Sequence, residues 1–323
     1  MPDSLFSNAP FWTAVFIFSL IVLLKSSQYF TESAERIGVY FGIPQFIVGV
    51  TIIAIGTSLP ELVSSIIAVL EDSSEIVIGN VVGSNIANIC LIIGVAAVVG
   101  KELTTKYDLI SVDLPLFAGS SFLFALMIWD GRFSFGEALL CIVGIVLYMF
   151  YAVSVGREQG KRAVTGAGAG GERRALGWTI PVVLTLSAGF IYLSAKYTVE
   201  SVVRISEILN VGKEIIAVSA VALGTSLPEL SVSVTAARKG KSELAIGNVL
   251  GSNIFNSFAV MGIPALFGAV VVPPSILGFS LQLMLMVTVL YVFIAQDKKI
   301  TKWEGGLFLL IYCFFIGRIF NLL

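Results

Sequence analysis

Long apolar runs separated by short polar breaks recur from one end of the chain to the other. An α-helix needs about 20 apolar residues to cross the hydrocarbon core of a bilayer. The pattern predicts ten such spans, near 11–31, 43–70, 77–99, 108–129, 134–154, 178–199, 211–237, 243–268, 276–295 and 303–321. The expected fold class is therefore an all-α integral membrane protein of ten transmembrane helices. Residues 11–24 read as the first span rather than as a removable signal segment. Most connections are too short to hold another domain. The longest, 156–177, carries a glycine-rich stretch at 165–171 and reads as a flexible linker.

Composition agrees with this pattern and narrows the function classes. The 323 residues are 57% hydrophobic and 13% charged, where a soluble domain carries about 25% charged residues. The lipid bilayer is the implied partner. A net charge of −1 without a basic tail argues against nucleic acid, and no obligate protein partner is evident. Histidine is absent, which removes imidazole metal ligands, histidine proton relays and any Ser-His-Asp hydrolase. Cys90, Cys141 and Cys313 lie in apolar runs without metal-ligand spacing and read as packing residues. No cofactor is expected.

Charge also orients the chain. Of the 20 Lys and Arg residues, fifteen fall in or near the connections after spans one, three, five, seven and nine, and five lie on the other side. The positive-inside rule then places both termini outside and the 156–177 linker in the cytoplasm of a cell bounded by its plasma (inner) membrane.

A shift of 168 residues overlays the second half on the first without a gap. Gly56-Thr57-Ser58-Leu59-Pro60-Glu61-Leu62 becomes Gly224-Thr225-Ser226-Leu227-Pro228-Glu229-Leu230. The stretch from Gly79 to Asn88 likewise becomes that from Gly247 to Asn256. About half of the positions in 47–94 are identical to those in 215–262. The expected organisation is a first five-helix repeat at 1–155, the linker at 156–177 and a second five-helix repeat at 178–323. An odd number of spans per repeat makes the second half enter the membrane from the opposite face. Inverted repeats of this kind are a building plan of secondary transporters, with the binding site between the repeats near the midplane.

The repeated motifs hold the polar chemistry. Pro60 and Pro228 lack an amide donor and free the carbonyls four residues earlier. Backbone released at membrane depth must be buried in protein or line a wet cavity. The spans are thus expected to be broken there, able to aim carbonyls such as those of Ala54 and Ala222 at an ion. A carboxylate within a span is costly, so Glu61 and Glu229 should face a partner or a cavity. Thr57 and Ser58 share a helical face with Glu61, and Asn80, Ser84 and Asn88 form a stripe on the next span. Thr225, Ser226, Asn248, Ser252 and Asn256 repeat this set. Plainer roles stand beside these: serine and threonine bond their own helix in many spans, and Gly79, Gly83, Gly247 and Gly251 fit close helix packing. Glu75 and Glu243 read as helix caps, Asp113 as an interfacial side chain, and Glu71, Asp72, Lys239 and Lys241 as solvated loop charges.

The donor inventory is all oxygen, which suits a hard cation such as calcium. Two carboxylates match one divalent ion or two monovalent ones. A site filled either way but not both couples opposite fluxes by competition. A cation channel built on the same oxygens is the rival from another class, disfavoured by two single glutamates in place of a ring. An intramembrane enzyme using Ser58 or Ser226 would have no general base beyond the glutamates, so no enzymatic activity is expected.

At these residues the chain resembles the sodium/calcium exchangers of the cation/calcium antiporter superfamily, prokaryotic type. The resemblance rests on G-T-S-x-P-E followed by G-N-x-x-G-S-N-x-x-N, found at 56–61 with 79–88 and at 224–229 with 247–256. It implies alternating-access antiport of sodium against calcium, with spans one and six sliding across a rigid core. It further implies that Glu61 and Glu229 bind both ions and that Thr57 and Thr225 ligate calcium. Ser58, Ser226, Ser84 and Ser252 would serve flanking sodium sites, Ala54 and Ala222 would lend carbonyls, and Asn88 and Asn256 would close the centre. Some archaeal and potassium-dependent members carry aspartate where this chain has Asn256, which argues against potassium co-transport. The proton-coupled branch has a different glutamate motif, which makes protons the weaker coupling ion.

Overall fold

The computed structural model describes residues 9–41, 45–70, 74–105, 112–166, 178–208, 222–320 and 322. Its helices are α1 (Ala9–Tyr40), α2 (Gln45–Val48), α3 (Ala54–Thr57), α4 (Leu59–Leu70), α5 (Glu75–Ile86), α6 (Gly94–Gly100) and α7 (Asp113–Met127). They continue as α8 (Phe135–Gly166), α9 (Thr179–Ile208), α10 (Ala222–Thr225), α11 (Leu227–Arg238), α12 (Ser242–Phe255), α13 (Leu281–Ala295) and α14 (Lys302–Ile319). Wider π-helical turns at Gly49–Ile53, Ala87–Ile93, Asn256–Val260 and Ile276–Ser280 join several of these into longer rods.

Five rods among the described residues are long and apolar enough to cross a membrane: Pro10–Gly38, Ile76–Gly100, Phe135–Val155, Ser242–Leu266 and Ile276–Ala295. A sixth is counted if Gly49–Thr57 and Leu59–Leu70, bent by 44°, form one broken span. The fourth and sixth predicted spans correspond to shorter apolar helices, Asp113–Met127 and Thr179–Ser194. Part of the seventh, 211–221, lies outside the described residues. The tenth is α14, whose eighteen residues include the charges Lys302, Glu304 and Arg318.

Two rods are central. Ile76–Gly100 and Ser242–Leu266 are 83% and 89% buried over their most apolar stretch, whereas Pro10–Gly38 and Phe135–Val155 are 28% buried. The outer rods turn side chains such as Phe18, Leu147 and Phe150 outward, as lipid-facing helices do. The larger core joins Val81, Ile92, Phe117, Phe124, Val249, Val260 and Tyr291. A smaller cluster, including Leu23, Phe30, Ile191, Val232 and Leu244, seats α1 and α9 against α11 and α12.

The structure adds to the all-α expectation two short antiparallel strand pairs. β1 (Glu102–Thr104) pairs with β4 (Lys299–Thr301), and β2 (Arg132–Phe133) with β3 (Val270–Val271). The pairs are exchanged images of each other. Leu103 opposes Ile300, and Val271 opposes Arg132, the same positions moved by 168 and swapped between halves. Two-residue and three-residue strands leave too little alternation to be seen in a sequence. The strands therefore clip a loop of one half to a loop of the other in a single register.

Other boundaries and charges depart from the sequence reading. α1 runs to Tyr40, nine residues past the predicted end. α8 runs to Gly166, into the segment read as linker, and 167–177 lies outside the described residues. Lys239 and Lys241 are not solvated loop charges: they pair with Glu32 and Glu35 on α1 and are partly buried. The acids sit one turn apart, so one helical face meets both lysines around the α11–α12 turn, where Gly240 takes φ +70°. Asp113 is buried rather than snorkelling, and Tyr151 donates a hydrogen bond to its Oδ2 at 3.1 Å. Glu243 lies in the first turn of α12 and accepts from the Thr105 hydroxyl at 3.4 Å. Glu71 and Asp72 lie outside the described residues, and only the backbone of Glu75 is described.

Candidate functional site

Each motif breaks its rod at the serine before the proline. Ser58 takes φ −88°, ψ 8° and Ser226 takes φ −84°, ψ 1°, so the two halves adopt one local conformation. Helical bonding continues around each break: Ser58 N–H donates to the Ala54 carbonyl at 3.0 Å and Leu62 N–H to the Ser58 carbonyl at 3.2 Å. The second motif repeats this through Ser226 to Ala222 at 3.1 Å and Leu230 to Ser226 at 3.0 Å. The bond missing by chemistry is the one proline cannot give, to Gly56 and to Gly224. Restarting at Leu59 and Leu227 places Glu61 and Glu229 in the first turns of α4 and α11, where the exposed helix amides favour negative charge.

The two breaks interlock. Ser58 Oγ of the first motif donates to Glu229 Oε1 of the second at 2.8 Å, and Ser226 Oγ donates to Glu61 Oε1 at 3.5 Å. Ser252 Oγ adds a second bond to Glu229 Oε1 at 3.5 Å. Thr57 Oγ1 reaches Asn248 Oδ1 at 3.3 Å, and its image Thr225 Oγ1 reaches Asn80 Oδ1 at 3.0 Å. Both carboxylates and both threonine hydroxyls thus meet a partner from the opposite half. Close backbone approach makes this possible. A Cβ on Gly49 would stand 2.7 Å from the Leu244 carbonyl oxygen, and one on Gly251 would stand 2.6 Å from that of Val50. Gly251 therefore has the packing role read from its spacing.

Burial is nearly complete: Glu61 is 1% exposed and Glu229 0%. No lysine or arginine pairs with either among the described residues. Glu61 Oε2 and Glu229 Oε2 have no hydrogen-bond partner, nor do Asn88 Oδ1 and Asn256 Oδ1. Isolated buried carboxylates are strongly unfavourable, so each must hold a proton or a cation. Among the described residues no group of three His, Cys, Asp or Glu could hold a metal. A cation here would rest on two carboxylates and neutral oxygens, a donor set suited to hard ions.

The remaining expected residues sit around this centre. Ser84 Oγ donates to Asn80 Oδ1 at 3.4 Å, and Asn88 Nδ2 to Asn253 Oδ1 at 3.0 Å. The carbonyls of Ala54 and Ala222 accept from the amides of Ser58 and Ser226 and lie 3.3 Å from the Thr57 and Thr225 hydroxyls, and the Ile53 carbonyl lies 3.1 Å from that of Thr57. Asn256 breaks the symmetry. The exchanged image of the Asn88–Asn253 bond would be Asn256 to Asn85, but Asn85 Nδ2 donates instead to Ser257 Oγ at 3.1 Å. Ser257 is the second-half image of Ile89, so this partner exists on one side only. Both amide atoms of Asn256 are left unpartnered. Asn85, Asn253, Ser65 and Ser233 join the polar centre in addition to the residues expected from the sequence. The first two lie inside the repeated Gly-Ser-Asn, and the serines are identical at a shift of 168, which was signal enough.

Fold and centre define a multi-pass helical membrane protein with a buried, carboxylate-bearing polar core shared by two like halves. The sodium/calcium exchanger protein family profile matches residues 11–156 and again 179–321. The chain belongs to the sodium/calcium exchanger family. It is 35% identical to the sodium/calcium exchanger MaX1 of Methanosarcina acetivorans, over 95% of this chain and 97% of that protein. It is 30% identical to the inner membrane protein YrbG of Escherichia coli, over 91% of each. Among solved structures, the sodium-calcium exchanger NCX_Mj soaked with 100 mM Na+ and 10 mM Sr2+ matches with TM-score 0.82 and 28% identity. That match covers 96% of this chain and 99% of the other.

Proposed function

We propose that this protein is a sodium-driven calcium antiporter working by alternating access, without covalent chemistry. The observation that carries the reading is the exchange of ligands between halves: Ser58 bonds Glu229, Ser226 bonds Glu61, and each carboxylate keeps one unpartnered oxygen. Calcium is the divalent substrate that neutralises both carboxylates at once, and sodium ions replace it one by one. Because the ions share oxygens, loading by one excludes the other.

In this reading Glu61 and Glu229 serve both ions. Thr57 and Thr225 add hydroxyl oxygens for calcium, and Ser58, Ser226, Ser84 and Ser252 serve sodium. Ala54 and Ala222 present the second lone pair of their carbonyls, and Asn88 and Asn256 close the centre. The scaffold is ten spans in two inverted five-helix repeats, 1–155 and 178–323. The swapped register of the strand pairs and the swapped hydroxyl–amide bonds support it, since both follow from a two-fold relation between halves. The basic connections then face the cytoplasm, with both termini outside the inner membrane. Names of the relatives, sodium/calcium exchanger and inner membrane protein, point the same way.

Replacing either carboxylate tests the assignment. Glu61→Gln and Glu229→Gln each remove one charge while keeping shape, and each should lower sodium-driven calcium uptake by at least about a hundredfold, the scale of losing a buried charge-assisted contact of 3 kcal/mol. Uptake within twofold of wild type in either folded variant would remove the carboxylates from the transport path.

A further inference from the structure

The amides of Asn80 and Asn248 occupy the same place in the two halves, and their orientation is settled by chemistry. Asn80 Nδ2 lies 3.4 Å from the backbone carbonyl oxygen of Glu61 and 3.3 Å from Ser65 Oγ. Asn248 Nδ2 lies 3.4 Å from the Glu229 carbonyl oxygen and 2.9 Å from Ser233 Oγ. A backbone carbonyl can only accept, so the nitrogen end of each amide must face it. The oxygen end then faces the hydroxyls: Thr225 at 3.0 Å and Ser84 at 3.4 Å for Asn80, and Thr57 at 3.3 Å for Asn248.

Two oxygens at these distances attract only when a hydrogen lies between them, and an amide oxygen carries none. The hydroxyls are therefore the donors: the Asn80 oxygen lies nearer to Thr225 than the Ala222 carbonyl does, 3.0 Å against 3.3 Å, whereas Thr57 divides its hydrogen between Asn248 at 3.3 Å and the Ile53 carbonyl at 3.1 Å. A threonine whose single hydrogen points at the asparagine turns its lone pairs the other way, toward the carboxylates. We propose that Asn80 and Asn248 are positioning residues, each turning the threonine hydroxyl of the opposite motif so that lone pairs rather than the hydrogen face the bound cation. The nitrogen end fixes the amide to the first turn of the glutamate helix of its own half. One side chain thus ties the carboxylate helix of one half to the hydroxyl ligand of the other. Without it, the Thr225 hydroxyl is left to donate along its own helix to the Ala222 carbonyl, 3.3 Å away, and its lone pairs rotate off the site.

This inference rests on the antiporter reading for the identity of the ion, but its test is made on binding. Calcium affinity of detergent-solubilised protein is measured by titration calorimetry for wild type, Asn80→Ala, Thr225→Val and the double variant. Asn80→Ala should weaken calcium binding about tenfold in the wild-type background, the scale of one lost orienting hydrogen bond. It should weaken it by no more than about twofold once Thr225 is valine, because the group it acts through is gone. Equal factors in both backgrounds, or unchanged affinity in folded Asn80→Ala, would overturn the proposal. If Asn80→Ala does not purify as a monodisperse species, the same cycle on Asn248→Ala with Thr57→Val carries the same two outcomes. Absence of sodium-driven calcium flux in wild type that still binds calcium would instead refute the antiporter reading and leave the asparagine result standing.

Discussion

Gly251 lies where the two halves approach closely beside the polar centre, and a methyl group there should be felt by the cation. A Cβ at this position would lie 2.6 Å from the Val50 carbonyl oxygen, 2.7 Å from Val50 Cα and 2.7 Å from Ala54 Cβ. Ordinary contact begins at 3.4 Å, so the π-helical turn Gly49–Ile53 and α12 must part by about 0.7–0.8 Å. Two of the three atoms are backbone, so a side-chain rotation cannot relieve them. Overpacking of this kind costs about 1–3 kcal/mol. The displacement also acts on ligands: Ala54 and Thr57 follow the turn, and Ser252 is adjacent to Gly251. Calcium–oxygen distances span only about 0.3 Å, so a shift of this size takes ligands out of range. Gly251→Ala should therefore lower initial calcium uptake into sodium-loaded proteoliposomes by about tenfold to a hundredfold at sub-saturating calcium. Gly189→Ala on α9, with nothing within 4 Å of the added atom, should stay within about twofold and serves as the control for a glycine-to-alanine change in a helix. Wild-type uptake by correctly folded Gly251→Ala would refute the link between backbone approach and ligand spacing.

Two further outcomes test the packing away from the site. The Lys241–Glu35 pair is more buried than Lys239–Glu32, with side-chain exposures of 21% and 20% against 30% and 36%. A double-mutant cycle on unfolding in detergent should give the larger coupling at Lys241–Glu35, up to about 1 kcal/mol, with Lys239–Glu32 at about half that or less; a cycle in which Lys239–Glu32 dominates would contradict the burial argument. Thr301 caps α14 in a reciprocal box, accepting from Glu304 N–H while its own N–H donates to Glu304 Oε2. Thr301→Ala should destabilise by about 1 kcal/mol, read as a lower midpoint of thermal unfolding, and an unchanged midpoint would argue against the cap.

The broken rods and the paired centre were legible because two independent copies of one motif named the same residues. Pro60 and Pro228 announced the break, and repetition of Glu61 at Glu229 marked the acids as partners. Contacts that arise from how the halves meet were not legible. Asn80 and Asn248 showed as part of a polar stripe, but their bonds run to the opposite half, and only the fold supplies that. The same holds for β1 and β4, strands of three residues whose partners lie almost two hundred positions away. Lys239 and Lys241 looked solvated because their partners Glu32 and Glu35 sit beyond the predicted end of the first span. There α1 stays helical for two further turns with its charges turned onto the α11–α12 loop. Asp113 looked interfacial because its acceptor role toward Tyr151, one helix further on, has no local signature.

The central claim, that one buried site shared by two halves exchanges sodium for calcium, is tested most directly by reconstitution. Purified protein in sodium-loaded proteoliposomes should accumulate calcium when diluted into sodium-free medium, and release it when external sodium is restored. Potassium and pH are held equal across the membrane. Calcium uptake that proceeds equally with choline inside, or that needs a potassium or proton gradient instead, would contradict the account.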